Sequence, residues 1–269
     1  FIMARMSADI NVIVQAVEKA ARSLLRDFNE VDQLQVSMKA PADFVSAADR
    51  RAESILHKEL SASRPGYGFI MEESGSVKGD ADKPVFVIDP LDGTTNFLHG
   101  LPHWCISVAI VKDGEPIAAV VFAPVTNELF WAEKGRGAYV DKKGLRVSGK
   151  KKLEFSMLAY GELSPRNAWY KKLLNDIETF GKKGASLRRY GAAALDLSYV
   201  ASGRFEAFWE TGIKVWDVAA GILIVQEAKG KVVSLSSKNN DPLTSGSILA
   251  TNGLVHEDVQ STIGNVDYK

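Results

Sequence analysis

The chain has 269 residues, enough for one large domain or for two lobes that share a core. Its 33 Lys and Arg balance 33 Asp and Glu, which excludes the basic surface of a nucleic-acid-binding protein, and a hydrophobic content of 46% is ordinary for a globular protein. No apolar run reaches the roughly 18 residues of a membrane span. The single cysteine, Cys105, cannot form an internal disulfide, so we expect a buried residue in a cytoplasmic protein.

Two amphipathic helices and a mainly antiparallel sheet are predicted for the first half of the chain. Apolar residues at helical spacing predict one helix over residues 7–28 and a second that begins after an N-cap at Ser46. The strands that follow are short apolar runs between turn signals, and they cover residues 68–71, 85–88, 104–111, 116–123 and 128–133.

Strands and helices alternate in the second half, which indicates an α/β arrangement. The predicted strands are residues 156–160, 186–190, 205–209, 231–235 and 247–250, and the predicted helices are residues 166–180, 192–201, 217–228 and 255–263. A basic stretch at residues 149–152 separates the halves, so we expect lobes at 1–149 and 150–269. Two sheets that each need helices on their faces predict a layered αβαβα sandwich of mixed α+β and α/β class.

Two acids, Asp89 and Asp92, directly follow a predicted buried strand, and Gly93 and Thr94 come next. Hard carboxylate oxygens beside free backbone N–H groups suit a divalent cation and a phosphate held side by side. A proline between the two acids fixes the backbone and leaves the Leu91 carbonyl as a further ligand. A plain turn would explain the Asp-Gly pair alone, but the whole stretch after a strand favours a metal and phosphate site.

Three other acids belong to the expected site. Glu72 closes the strand at 68–71, and neighbouring strand ends converge in space, although alone it reads as a surface residue. Asp217 starts a helical run, where an N-cap role is compatible with metal binding. Asp49 lies near the start of the second predicted helix, where the helix dipole also favours an acid. An all-oxygen ligand set selects Mg²⁺, or Mn²⁺ as a substitute, and clustered carboxylates call for two or three ions.

Residues 89–97, Asp-Pro-Leu-Asp-Gly-Thr-Thr-Asn-Phe, resemble the first signature of the inositol monophosphatase family. Trp-Asp-Val-Ala-Ala-Gly at 216–221 resembles the second signature, and Glu-Glu-Ser at 72–74 resembles an upstream element. Asp49 matches an acid that opens a helix in the family. The resemblance covers nearly the whole chain, and it implies the fold of inositol monophosphatases and fructose-1,6-bisphosphatases, a homodimer, Mg²⁺ dependence and inhibition by Li⁺.

The resemblance also assigns roles to single residues. Thr94 and Asp49 are expected to hydrogen-bond to each other and, with Glu72, to orient and deprotonate a water molecule. Lys39 matches a lysine near the metal water shell, with a surface lysine as the alternative. Metal ligands are expected at Glu72, Asp89, Leu91, Asp92 and Asp217. Substrate contacts are expected at Asp92, Gly93, Thr94, Arg188, Gly191, Ala192, Ala193, Glu210 and Asp217.

Glu210 is expected to accept a hydrogen bond from an inositol or sugar hydroxyl, because it matches that family position. Two other substrate predictions carry alternatives. Arg188 reads equally as part of a solvated or dimer-interface pair with Arg189, and residues 192–195 read equally as an ordinary helix start.

These expectations together describe a Mg²⁺-dependent phosphomonoesterase that hydrolyses myo-inositol monophosphate, or a related polyol or sugar phosphate, by metal-activated water. Fructose-1,6-bisphosphatase and histidinol-phosphate phosphatase are alternatives within the family. A regulatory binding protein on the same scaffold is the alternative from another class. We expect a phosphate monoester as the partner, and neither nucleic acid nor a membrane.

Overall fold

The structure, a computed structural model, describes residues 6–37, 41–161 and 169–265. Of these, residues 31–37 and 41–46 are described by their backbone only. The predicted Lys39 lies outside the described residues, as does the start of the helix predicted from residue 166. The helices are α1 (Ala8–Ser37), α2 (Pro41–Ser63), α3 (Thr94–Leu98), α4 (Tyr170–Lys182), α5 (Ala193–Ala201), α6 (Val215–Glu227) and α7 (His256–Ile263).

Two sheets contain the described strands. The first comprises β1 (Gly68–Met71), β2 (Gly75–Val77), β3 (Val85–Asp92), β4 (Cys105–Lys112), β5 (Glu115–Ala123), β6 (Glu128–Glu133), β7 (Gly137–Val140) and β8 (Lys143–Gly144). The second comprises β9 (Met157–Tyr160), β10 (Ser186–Arg188), β11 (Ala207–Thr211), β12 (Lys231–Val233) and β13 (Ser247–Thr251).

The first sheet has the strand order β2-β1-β3-β4-β5-β6-β7-β8 and is antiparallel except between β1 and β3. Helices α1 and α2 cover one face, because their apolar stripes bury Ile10, Val17 and Leu56 against it. Side chains alternate along β3 as a pleated strand requires: Phe86 faces these helices, and Val87 faces the other way.

The second sheet has the order β10-β9-β11-β13-β12 and mixes parallel and antiparallel pairs. Helices α4 and α7 pack on its outer face through Phe180, Val259 and Ile263. Helices α5 and α6 lie between the two sheets, and residues 218–225 of α6 are all buried, as expected for a helix covered on every side. The layers therefore alternate as αβαβα, as predicted.

A glycine of the second signature explains how closely the middle helices approach. A Cβ atom on Gly221 of α6 would come within 2.4 Å of the Leu197 Cδ1 atom of α5. Only a residue without a side chain fits this crossing, so Gly221 sets the distance between α5 and α6.

Several boundaries differ from the predictions. The strands β2, β7 and β8 were not predicted, because they are short and each contains a glycine, which reads as a turn signal. Helix α2 begins at Pro41, a residue favoured in the first turn, so the predicted N-cap at Ser46 is wrong. Asp49 is consequently an interior residue of α2, and the helix dipole does not account for it.

The first sheet ends at Gly144 and the second begins at Met157, on either side of the predicted boundary at 149/150. Because α5 and α6 contact both sheets, the lobes share their middle layer, and we keep their division as a proposal. Among the described helices, none is long and apolar enough to cross a membrane.

Candidate active site

The acids of the first signature lie on β3 itself rather than in a loop after it. β3 pairs with β4 regularly up to Asp89 and Ser107, and the register then shifts so that Asp92 faces Cys105. A bulge of this kind redirects side chains at a strand end. Asp89 is buried, and its Oδ1 atom accepts a hydrogen bond from the Leu91 N–H group at 2.9 Å.

Gly93 turns the chain from β3 directly into α3. Its φ of 96° lies in the left-handed region, and a Cβ atom there would come within 2.9 Å of the His103 carbonyl oxygen. α3 starts at Thr94, and the first N–H groups of a helix have no acceptor within it. These donors are consistent with the phosphate position predicted at Gly93 and Thr94.

Asp92, at the end of β3, is hydrogen-bonded to the helical layer between the two sheets. Its Oδ1 accepts the Ala193 N–H group at 3.1 Å, and its Oδ2 accepts the Ala194 N–H group at 2.7 Å. The carboxylate therefore caps the start of α5, about a hundred residues further along the chain. The small-residue turn from Gly191 to Ala193, predicted to line the pocket, thus lies against Asp92, while the Ala194 contact was not predicted.

Asp217 and Glu72 approach the same place from two other elements. α6 begins at Val215 and its N-cap is Lys214, so the N-cap role predicted for Asp217 is wrong. Asp217 is the third residue of the helix, and its Oδ2 atom accepts the Lys214 N–H group at 2.7 Å, as in a capping box. Glu72 follows β1, which runs parallel to β3. Both carboxyl groups lie within hydrogen-bonding reach of Asp89, so three separate segments meet at one point.

The carboxyl groups perturb one another strongly. Burial raises the pKa of Asp89 well above its usual range, and the charges of Asp92 and Glu72 raise it further. Burial also raises the pKa of Asp92 to about 8, with Asp217 adding to the rise. The pKa of Asp217 is raised to about 6 and that of Glu72 is raised as well, in both cases by burial of the carboxyl group first. Such a cluster favours a neutralising cation, whose binding would release protons.

Asp49 and Thr94 do not form the hydrogen bond that was predicted. The Thr94 hydroxyl donates to the Leu91 carbonyl at 3.1 Å, as hydroxyls at a helix start commonly turn back to the main chain. Asp49 is buried, and its Oδ1 atom has no hydrogen-bond partner. Burial, followed by the charges of Glu72 and Glu73, raises the pKa of Asp49 to about 8.

Two residues near the acids were not singled out by the sequence. Glu53 is buried one turn after Asp49 on α2, and it accepts the Glu73 N–H group at 2.8 Å, which fixes the segment after β1. Spacing of four residues on one helix was the available signal. The thiol of Cys105, predicted only as a buried residue, lies 3.6 Å from the Asp92 Oδ2 atom.

The acids suit a hard divalent cation in kind. Carboxylates and the Leu91 carbonyl are oxygen ligands of the type Mg²⁺ prefers, and an unpartnered buried oxygen of Asp49 adds to them. Among the described residues, no three carboxylate, imidazole or thiol groups stand close enough together to enclose one ion. Asp89, Asp92 and Asp217 instead direct oxygens at backbone N–H groups.

The remaining predicted substrate residues lie in the second sheet. Glu210 on β11 packs against Gly161, where a Cβ atom would overlap its carboxyl carbon, and it borders a small cavity of about 20 Å³. Lys172 and Asp176 of α4 line the same cavity. Arg188 is exposed at the end of β10 and donates to the Leu187 carbonyl, a contact that does not bring it to the acids.

Known proteins are similar to this chain in sequence and in fold. The chain matches the inositol monophosphatase family over residues 6–267. It is 46% identical over 253 residues to a protein named inositol-1-monophosphatase from Mesorhizobium japonicum, covering 94% of each chain. It is 45% identical over 224 residues to a protein named Nus factor SuhB from Xylella fastidiosa, covering 83% of this chain and 80% of that protein.

A solved structure extends the agreement to the architecture. The inositol monophosphatase of Anabaena (Nostoc) superposes with a TM-score of 0.80 at 32% identity, covering 94% of each chain. The predicted sandwich is therefore confirmed by comparison as well as by the layers described above. On sequence and fold together, this chain belongs to the inositol monophosphatase family.

Proposed function

We propose that this protein is a Mg²⁺-dependent phosphomonoesterase that hydrolyses myo-inositol monophosphate, or a related polyol or sugar phosphate, to the free alcohol and inorganic phosphate. One observation carries the proposal: carboxyl groups from β1, β3 and α6 meet around the buried Asp89 although they repel one another. A fold tolerates such repulsion where a cation is held. Family membership and the relative named inositol-1-monophosphatase support the substrate class.

The chain supplies each function that phosphate hydrolysis needs. Glu72, Asp89, Asp92, Asp217 and the Leu91 carbonyl would hold the metal. When bound, Mg²⁺ would neutralise charge on the phosphate and acidify water, with two or three ions fitting the number of acids. The N–H groups at the start of α3 would receive phosphate oxygens.

Proton transfer is assigned to three residues beside the metal-binding acids. We assign Thr94, Asp49 and Glu72 to orienting the attacking water and accepting its proton. The buried Asp49 Oδ1 atom has no hydrogen-bond partner, and this free oxygen supports a role as proton acceptor. The thiol of Cys105 beside Asp92 is a poor nucleophile, because it is buried and that burial raises its pKa.

Substrate choice is assigned to the second sheet and the turn before α5. Glu210 would accept a hydrogen bond from a ring hydroxyl, and the turn from Gly191 to Ala193 would leave room for the ring. Fructose-1,6-bisphosphatase and histidinol-phosphate phosphatase activities are the alternatives within the family. A regulatory role on the same scaffold is supported by the relative named Nus factor SuhB, but retention of all four acids favours an enzyme.

Phosphate release from a panel of inositol, sugar and histidinol phosphates tests the proposal. We expect release from inositol monophosphate with Mg²⁺, none after EDTA treatment, and inhibition by Li⁺, because one weakly held cation position must open for product to leave. An Asp89→Asn variant, purified in the same way, measures contaminating phosphatase. Full release in EDTA would contradict the metal role, and preference for another phosphate would correct the substrate.

We also propose a homodimer, on the strength of the family resemblance. Light scattering at micromolar protein is expected to give twice the 29.3 kDa mass of the chain. A monomer mass at that concentration would reject it.

A further inference from the structure

A histidine outside the two signatures links the end of β3, where Asp92 lies, to the start of α5. His103 follows α3 and lies two residues before Cys105, the first residue of β4. Cys105 pairs with Asp92 of β3. Its Nε2 atom lies 3.0 Å from the Asp196 Oδ1 atom, and Asp196 is 1% exposed. An imidazole bound to a fully buried carboxylate is more than surface packing.

Asp196 holds the turn that faces the site. It lies in the first turn of α5, and the backbone N–H groups of Gly191 and Ala192 face its carboxyl group. The next two N–H groups, those of Ala193 and Ala194, are the donors to Asp92. Two aspartates therefore share the four N–H groups at the start of one helix, and a shift in either carboxylate moves the other's donors.

His103 grips this turn from a second side. Its ring stacks on Tyr190 with centroids 4.7 Å apart, and Tyr190 directly precedes the turn. The Asn96 Nδ2 atom donates to the carbonyls of both His103 and Tyr190, each at 2.7 Å. The segment after α3 and the turn before α5 are thus clamped through side chain and main chain at once.

We propose that His103 and Asp196 form a positioning pair that fixes the orientation of Asp92, and thereby the metal affinity of the site; this rests on the proposed function. Partners of this kind orient a ligand without touching the metal, and their loss weakens metal binding about 10- to 100-fold. The pair reaches Asp92 through the start of α5, so its loss should weaken metal binding in the substrate-free protein. Metal affinity is the measurement that decides, because the same turn is also assigned to the substrate ring and KM would change with it.

Two near-isosteric variants separate the hydrogen bond from the ring. His103→Gln keeps an amide that can bond to Asp196, whereas His103→Phe keeps the stacking on Tyr190 and loses the bond. His57→Phe is the matched control, because His57 also packs on an aromatic ring, that of Phe69 at 4.6 Å, and has no link to α5. Mn²⁺ binding to the substrate-free protein is read from the electron paramagnetic resonance signal of free Mn²⁺.

We expect His103→Phe to weaken Mn²⁺ binding to the substrate-free protein by about tenfold or more and to lower kcat. His103→Gln should bind Mn²⁺ nearer to wild type, and His57→Phe should match wild type. Unchanged Mn²⁺ affinity in His103→Phe, even with a lower unfolding temperature, would make the pair structural and overturn the proposal. So would a Gln variant weaker than the Phe variant.

Asn96→Ala decides the matter should His103→Phe not fold. It removes the bonds to the two carbonyls, and it should weaken Mn²⁺ binding in the same direction; wild-type affinity there contradicts the clamp. The assay also separates the two proposals. Wild-type protein that binds Mn²⁺ but releases no phosphate refutes the proposed function, whereas an active enzyme with unaltered Mn²⁺ affinity in His103→Phe refutes only the positioning pair.

Discussion

Asp89→Asn is expected to lower kcat by more than about a hundredfold, beyond the usual effect of losing an outer partner of a metal ligand. Glu72, Asp92 and Asp217 gather around Asp89, so loss of its charge would weaken the hold of the whole cluster on a cation. The measurement is single-turnover phosphate release at saturating Mg²⁺. Asp27→Asn is the control, because Asp27 is an equally buried acid, paired with Arg51 on the helical layer away from the site.

The same variant has an opposite expected effect on the metal-free protein. Removing one of several repelling carboxyl groups should leave the metal-free unfolding temperature unchanged or raise it. Mg²⁺ should raise the unfolding temperature of the wild type, because it binds only the folded chain, and should do so far less in Asp89→Asn. Equal stabilisation of both proteins by Mg²⁺ would remove Asp89 from the ligand set.

Thr94→Ala is expected to lower kcat by about a hundredfold, the usual scale for a positioned proton acceptor, with a much smaller change in KM. Asp49→Asn should behave alike, and the double variant should be little worse than either, because the two residues act on the same water. Thr95→Ala is the matched control, since Thr95 is the exposed neighbour in α3. Additive losses in the double variant would show that Thr94 and Asp49 work separately.

The double variant tests the predicted contact between Thr94 and Asp49, which the structure does not contain. The Thr94 hydroxyl donates instead to the Leu91 carbonyl. Hydrolysis in ¹⁸O-water identifies the nucleophile independently of both variants. Direct attack by water places one solvent oxygen in the released phosphate and leaves the protein unlabelled. Acid quenching of the same reaction tests for a covalent phosphoenzyme, because water that attacked phosphorus in such an intermediate would give the same labels. A trapped phosphoenzyme, or label in a carboxyl group of Asp89 or Asp92, would contradict the assignment.

Local patterns predicted the layers and the first signature well. The apolar run before Asp89 and the alternation of strands and helices after residue 150 are properties of neighbouring residues, and periodicity reports them directly. The start of α2 was missed because Ser46 was interpreted as an N-cap, whereas the helix begins at Pro41.

Contacts between distant backbone groups were beyond the sequence. The cap that Asp92 places on α5 uses N–H groups, and every residue carries one, so no side-chain type marks Ala193 and Ala194. No local spacing marks His103, because Gly100 and Pro102 break any helix that would align it with His99. Its actual partner, Asp196, lies 93 residues away on another layer.

The cap on α5 has a consequence for synthesis. A growing chain emerges with its N-terminus first, so Asp89 and Asp92 leave the ribosome about a hundred residues before the N–H groups that receive Asp92, and longer before Asp217. Nascent chains that end before α6 lack Asp217 of the acid cluster. They also lack one of the two helices that form the middle layer. We therefore expect catalytic competence to arrive only after α6 has been made and packed between the two sheets, and we expect a chain truncated before α6 to be inactive.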